Sequence, residues 1–187
     1  MPGKNDIRRL RVVHNYRCGY CGVHEEDVGS QLEIDHFQPS SRGGSDEFAN
    51  LVYCCTACNR IKGDFWPADE PFITTHRLLH PRKDDLSAHL RETPDGRLNA
   101  LTDTGQFHLN RLKLNRPQLV ARRRKQRLIA DKQQQWEAMQ MEQQQMWEQL
   151  QELERQLELL VELTSRSLTG DTDALALLEV LLANYMD

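Results

Sequence analysis

Two cysteine pairs, Cys18-Gly-Tyr-Cys21 and Cys55-Thr-Ala-Cys58, stand 33 residues apart in a chain of 187. Each C-x2-C unit supplies half of a tetrahedral four-thiolate site, and zinc is the cation that such a closed, soft ligand set suits. With no open coordination position the ion would be structural, tying two distant loops together where a small core alone is marginal. The fifth cysteine, Cys54, falls outside both pairs and reads as a small buried apolar residue on a strand leading into the second pair. Five cysteines in a reducing compartment are not expected to form a disulfide framework, and an odd count containing two C-x2-C units reads better as metal ligation. The N-terminal MPGKNDIRRLR has no apolar leader core, and no run of eighteen apolar residues occurs, so the expectation is a cytoplasmic protein without a membrane span.

Residues 7–65 hold two short apolar runs, Leu32-Glu33-Ile34 and Leu51-Val52-Tyr53, on either side of Gly43-Gly44, a pattern of short strands and turns. Phe65-Trp66-Pro67 to Thr74 reads as an extended connection over this head. From His89 the chain spells strand, Pro94-Asp95-Gly96 turn, strand, and Gln106 to Leu114 then shifts to helical spacing with Phe107, Leu109, Leu112 and Leu114 as core positions. Residues 66–115 are thus expected to be a hairpin-and-helix extension of the head.

Asn115-Arg116-Pro117 signals a helix start with Asn115 as the cap, and no glycine or proline follows until Gly170. Heptad positions a (Ile129, Trp136, Gln143, Leu150, Leu157) and d (Lys132, Met139, Met146, Leu153, Leu160) are apolar at eight of ten places. This predicts a coiled-coil helix over 116–165, roughly 70 Å long at 1.5 Å per residue, and self-association through residues 129–160. The alternative is one amphipathic helix packed on its own head. Asp171 is positioned to cap a last apolar helix, 171–186. The fold class expected is α+β: a small head, a long helix and a short C-terminal helix.

The formal net charge of −4 conceals a division: residues 1–130 carry 21 Lys/Arg against 16 Asp/Glu, a net of +5, and residues 131–187 carry 3 against 12, a net of −9. A basic segment attracts polyphosphates through counterion release, whereas an acidic one is repelled by them and suits assembly or a companion protein.

Between and after the cysteine pairs lie Ile34-Asp35-His36-Phe37, Asn50-Leu51-Val52 and Asn59-Arg60-Ile61-Lys62-Gly63-Asp64. The order Cys-x2-Cys, Asp-His, Asn-Leu-Val, Cys-x2-Cys-Asn, Lys-Gly resembles the HNH endonucleases over roughly residues 14–64. The resemblance implies a ββα-metal finger in which His36 is the general base on the attacking water, Asp35 and Asn59 hold the catalytic cation, and Asn50 orients His36. Asn59 stands where the family name has a second histidine, so the chain matches an H-N-N variant. Family behaviour implies nucleic-acid hydrolysis, of DNA in the first instance, leaving 5′-phosphate and 3′-hydroxyl ends.

The residues make chemical sense on their own terms, since an aspartate and an asparagine offer hard oxygen ligands and suit Mg²⁺ or Mn²⁺ more than zinc. Arg42, Arg60, Lys62 and the run Arg122 to Arg127 are the candidate phosphate contacts, with plain solvation the alternative for the run. Two rival readings remain at this stage: a zinc-ribbon module that binds nucleic acid without chemistry, and an adaptor that presents the acidic coiled coil. The acidic tail and long helix point to a companion protein and a mobile-element or phage-defence setting.

Overall fold

A computed structural model describes residues 4–67 and 75–186. The head opens with helix α1 (Lys4–Val13), where Ile7 and Leu10 share one face, Asp6 lies in the first turn and Arg11 in the last. Leu10 is fully buried, and α1 packs on the strand that ends at the second cysteine pair. The sequence expectation of strands alone in this region missed α1, because its apolar face is only two residues wide among three arginines.

A short turn of helix, α2 (Glu25–Val28), leads to the central ribbon of β1 (Glu33–His36) and β2 (Leu51–Cys54). These strands pair antiparallel, with Glu33 opposite Cys54 and His36 opposite Leu51. All four β2 residues are buried, which explains why this strand reads as a continuous apolar run and not an alternating one. Cys54 is among them, as its exclusion from the cysteine pairs implied, and burial pushes its thiol well above the usual range.

Tyr53 anchors the ribbon. Its hydroxyl accepts from Leu32 N (2.9 Å) and donates to Glu25 Oε2 (2.6 Å), and Arg11 Nε donates to the same carboxylate oxygen (3.1 Å). β2 runs directly into α3 (Thr56–Lys62), so the family of elements β1, β2 and α3 forms a ββα unit.

The extension follows as expected in type: α4 (Leu86–His89), the hairpin β3 (Leu90–Glu92) with β4 (Leu98–Ala100), and α5 (Asp103–Arg111), capped by the Thr102 hydroxyl accepting from Gly105 N (3.0 Å). Leu109, Leu112 and Leu114 are buried in the common core with Leu10, Leu51 and Leu119. The extended connection expected over 65–74 lies outside the described residues from 68 onward.

Helix α6 (Pro117–Leu168) is 52 residues long, about 78 Å at 1.5 Å per residue. Asn115 does not cap it: its amide pairs with Leu98, accepting from N (2.7 Å) and donating to O (2.8 Å), so the asparagine copies a strand's backbone and fastens the hairpin instead. Of the basic run, Arg122 binds Asp27 Oδ2 (2.8 Å), Arg123 donates to Gly96 O (2.6 Å) and Leu114 O (2.9 Å), and Arg127 pairs with Glu92 (3.1 Å). These three arginines therefore attach the start of α6 to the head.

The chain divides into two compact units, 1–128 and 129–187. The second consists of the rest of α6 and α7 (Thr172–Met186), whose first turn is capped as expected by Asp171 Oδ1, accepting from Asp173 N and Ala174 N (both 3.1 Å). In the heptad positions, Ile129, Trp136, Met139, Met146, Leu150, Leu153 and Leu157 are 47–64% exposed. No helix of the described residues is long and apolar enough to cross a membrane.

Acid stability depends on a core histidine. His108 is fully buried, its Nδ1 accepts from Leu79 N (2.9 Å), and among the described residues its Nε2 has no partner. Burial pulls its pKa down to about 4. The folded value lies below the unfolded value of about 6.5, so its contribution is complete above pH 6.5 and is lost as pH falls through 4, a difference on the order of 3 kcal/mol. Thermal unfolding of the zinc-loaded chain should show Tm falling between pH 6.5 and 4, with a shallower fall in His108→Gln; equal slopes would assign the loss to other groups.

Candidate functional site

The two cysteine pairs meet because β2 joins them. Gly19 N donates to Tyr53 O (2.7 Å), which hangs the first knuckle on the end of β2, and Gly22 N closes the knuckle on Cys18 O (2.8 Å). Gly22 has φ +71°, a left-handed conformation that a side chain would strain. At the other end, Cys55 is the N-cap of α3 and its sulfur accepts from Cys58 N.

The sulfurs of Cys18, Cys21, Cys55 and Cys58 lie within 4.8 Å of one another, with 3.8 Å between Cys21 Sγ and Cys55 Sγ. A tetrahedron with 2.3 Å metal–sulfur bonds has edges of about 3.8 Å, so both donor set and spacing fit zinc. Burial and the adjoining thiols hold Cys18 well above the ordinary thiol range, a barrier to ionisation that a dication removes. Four thiolates around one Zn²⁺ leave two excess negative charges, and Arg116 Nη2 lies 3.4 Å from Cys58 Sγ to offset part of them.

The second cluster forms along the seam between β1 and α3. Thr56, Asn59 and Lys62 recur every three residues and so face one side of α3. Thr56 Oγ1 donates to Glu33 Oε1 (2.5 Å), Asn59 Nδ2 donates to Glu33 Oε2 (2.9 Å), and Lys62 Nζ donates to Asp35 Oδ1 (3.0 Å) and to His36 O (2.7 Å). The seam thus carries the side chains of Asp35 and Asn59 on adjoining elements, and meets His36 through its backbone carbonyl.

Asp35 is 7% exposed and also accepts from Tyr20 Oη (2.5 Å). Burial raises its pKa, against the pull of the Lys62 charge. Lys62, expected among the phosphate-binding cations, is fully buried: an ammonium in that position neutralises the Asp35 charge and cannot reach a phosphate on the surface. Arg42 and Arg60 are exposed, as contact with phosphates requires.

Asn50 makes no bond to the His36 ring. Its Oδ1 accepts from Gln38 N (2.8 Å), and its Nδ2 donates to Gln38 O (3.0 Å) and Ser45 O (2.8 Å), fastening the loop between β1 and β2. Gly44 makes that closure possible, because a Cβ there would fall 1.8 Å from Gln38 O. His36 Nε2 is instead bonded to Asp46 Oδ1 (2.7 Å). Beside this loop opens a cavity of about 540 Å³ whose aromatic wall is Phe37, Trp66 and His80.

Sequence reasoning missed Glu33, Tyr20, Asp46 and Arg116. Glu33 had a usable signal, since it lies two residues before Asp35 and strand alternation puts both on one face. For the other three the partner is set by loop geometry, which spacing does not encode.

Residues 18–65 match the family model for HNH endonucleases. No curated protein matches the chain. The match covers the ββα unit and both cysteine pairs, and α5, α6 and α7 lie outside it.

Metal removal tests the first cluster. The chain should purify with one zinc per molecule, and Cys58→Ser should lose the metal and unfold the head. Arg116→Ala should weaken zinc binding roughly ten- to a hundredfold, as second-layer changes do, measured by competition with a chromophoric chelator. Unchanged affinity would remove Arg116 from the metal's surroundings.

Proposed function

We propose that this chain, built around its HNH endonuclease domain, is a metal-dependent endonuclease that hydrolyses phosphodiester bonds, with DNA as the substrate. The observation that carries the proposal is the β1–α3 seam. It brings the oxygen donors Asp35 and Asn59 onto adjoining elements, with the half-buried His36 next to Asp35 in β1, within the family-matched segment.

The donor set fits a hard cation. Glu33 engages the amide nitrogen of Asn59, which leaves Asn59 Oδ1 as a free oxygen ligand. Among the described residues, Asp35 Oδ1 receives Lys62 alone, which also lies 2.9 Å from Oδ2, so Oδ1 retains acceptor capacity beside that ammonium. Asp35 and Asn59 would hold Mg²⁺ or Mn²⁺, and when bound such an ion supplies charge stabilisation to the pentavalent transition state and the leaving 3′-oxygen.

His36 takes the proton of the attacking water as its neutral imidazole, the part a general-base histidine plays. Asn50 keeps the loop beyond His36 closed, so the ring stays oriented through backbone it does not touch directly. Arg42 and Arg60 neutralise flanking phosphates without reading sequence. Thiolate ligation of zinc agrees with a reducing, cytoplasmic setting.

Self-association belongs to the same proposal. The seven exposed apolar heptad residues would remove roughly 1,400 Å² in total between two copies, the size of a standard stable interface. The acidic face of this region is suited to a companion protein, in the manner of a nuclease whose activity must be confined.

Supercoiled plasmid incubated with the zinc-loaded chain and Mg²⁺ or Mn²⁺ should be relaxed or linearised, and His36→Ala should lower the rate roughly 10²- to 10⁴-fold, the usual value of a general base. Intact plasmid with every divalent metal would favour a binding module. Sedimentation of the same preparation should give a dimer, and a monomer would remove only the self-association.

A further inference from the structure

Asp46 is a half-exposed carboxylate in the loop between β1 and β2, and among its contacts is one to the His36 ring. The distance from Asp46 Oδ1 to His36 Nε2 is 2.7 Å, short enough for a charge-assisted bond. The loop that brings it there is rigidly closed. Phe37 N donates to Asn50 O (2.7 Å), Asn50 clamps both Gln38 and Ser45, and Ser45 is the residue immediately before Asp46. Gly44, which has no room for a Cβ, completes the clamp.

An ionised carboxylate accepts hydrogen bonds and donates none. The ring nitrogen facing Asp46 must therefore carry the proton, which leaves the lone pair of neutral His36 on Nδ1. We propose that Asp46 is a positioning residue: it fixes His36 in the Nε2–H tautomer, presents Nδ1 to the attacking water, and stabilises the imidazolium as the water proton arrives. The proton balance is simple. The water O–H bond breaks as Nδ1–H forms, the oxygen's electron pair goes to phosphorus, the P–O3′ bond breaks with its pair leaving on the 3′-oxygen, which takes a proton from solvent, and Asp46 stays ionised throughout. A second carboxylate behind a catalytic imidazole performs the same work in acyl transfer, where loss of that partner changes the tautomer without moving the ring.

The inference rests on the nuclease reading for its kinetic consequence, but not for the contact. Asn50 and Asp46 then divide one task, the first holding the loop and the second holding the ring. This also accounts for the absence of a direct bond between Asn50 and His36.

The test uses the full zinc-loaded chain and Asp46→Asn, which keeps size and loop shape. Nitrogen-15 NMR of the neutral His36 ring, assigned with His36→Gln, should show the Nε2–H tautomer in the wild type and a shift toward Nδ1–H in Asp46→Asn. With plasmid and Mn²⁺, Asp46→Asn should lower kcat roughly ten- to a hundredfold with KM changed less than about twofold, and Asp46→Glu should restore part of the loss. A wild-type kcat in Asp46→Asn, or a lowered kcat with an unchanged tautomer, overturns the proposal. If the wild type cuts nothing, the nuclease reading fails, and the NMR comparison still decides whether Asp46 sets the ring.

Discussion

The convergence of four sulfurs at the end of β2 is the constraint on which the rest of the head depends. The two knuckles are separated by most of the ββα unit, and the loop between them must close before either can meet the other. The buried apolar set is modest for a head carrying this much loop, so a cation held by the four sulfurs, joining residues 18–21 to residues 55–58, would replace core that a domain of this size lacks. Because Cys55 is also the N-cap of α3, the sulfur placed to ligate a metal also fixes where that helix begins. The start of α3 in turn sets which of its residues face β1.

That facing relation produces the site. Strand alternation puts Glu33 and Asp35 on one side, and the three-residue recurrence of Thr56, Asn59 and Lys62 meets them in order. Two carboxylates on one strand face, one of them buried, would be costly alone. Lys62 and Tyr20 offset the charge of Asp35, while Thr56 and Asn59 satisfy Glu33. The side-chain amide of Asn59 is thereby aligned with its nitrogen toward Glu33, an arrangement that follows from the electrostatics of the strand and not from the helix alone.

The cysteine pairs, the placement of Cys54, the hairpin after His89, the long helix from Pro117 and the Asp171 cap were legible in the sequence, because each is a local pattern with one strong physical reading. What escaped was the partner of each polar side chain. Asn50 and Asn115 both looked like orienting or capping residues, and both instead pair their amides with backbone far along the chain. Lys62 and the arginines at 122, 123 and 127 looked like phosphate contacts because a sequence shows charge but not burial. Helix α1 escaped because two apolar residues among arginines give almost no periodic signal, although Leu10 is wholly buried once β2 is present.

The central claim is a thiolate-bound ion at the junction of β2 and α3, and X-ray absorption at the zinc edge measures it directly. On the purified full chain the account predicts a single shell of four sulfur scatterers at about 2.3 Å. A shell containing nitrogen or oxygen ligands, or sulfur numbering fewer than four, would contradict it, and with it the physical basis for placing His36, Asp35 and Asn59 along one seam.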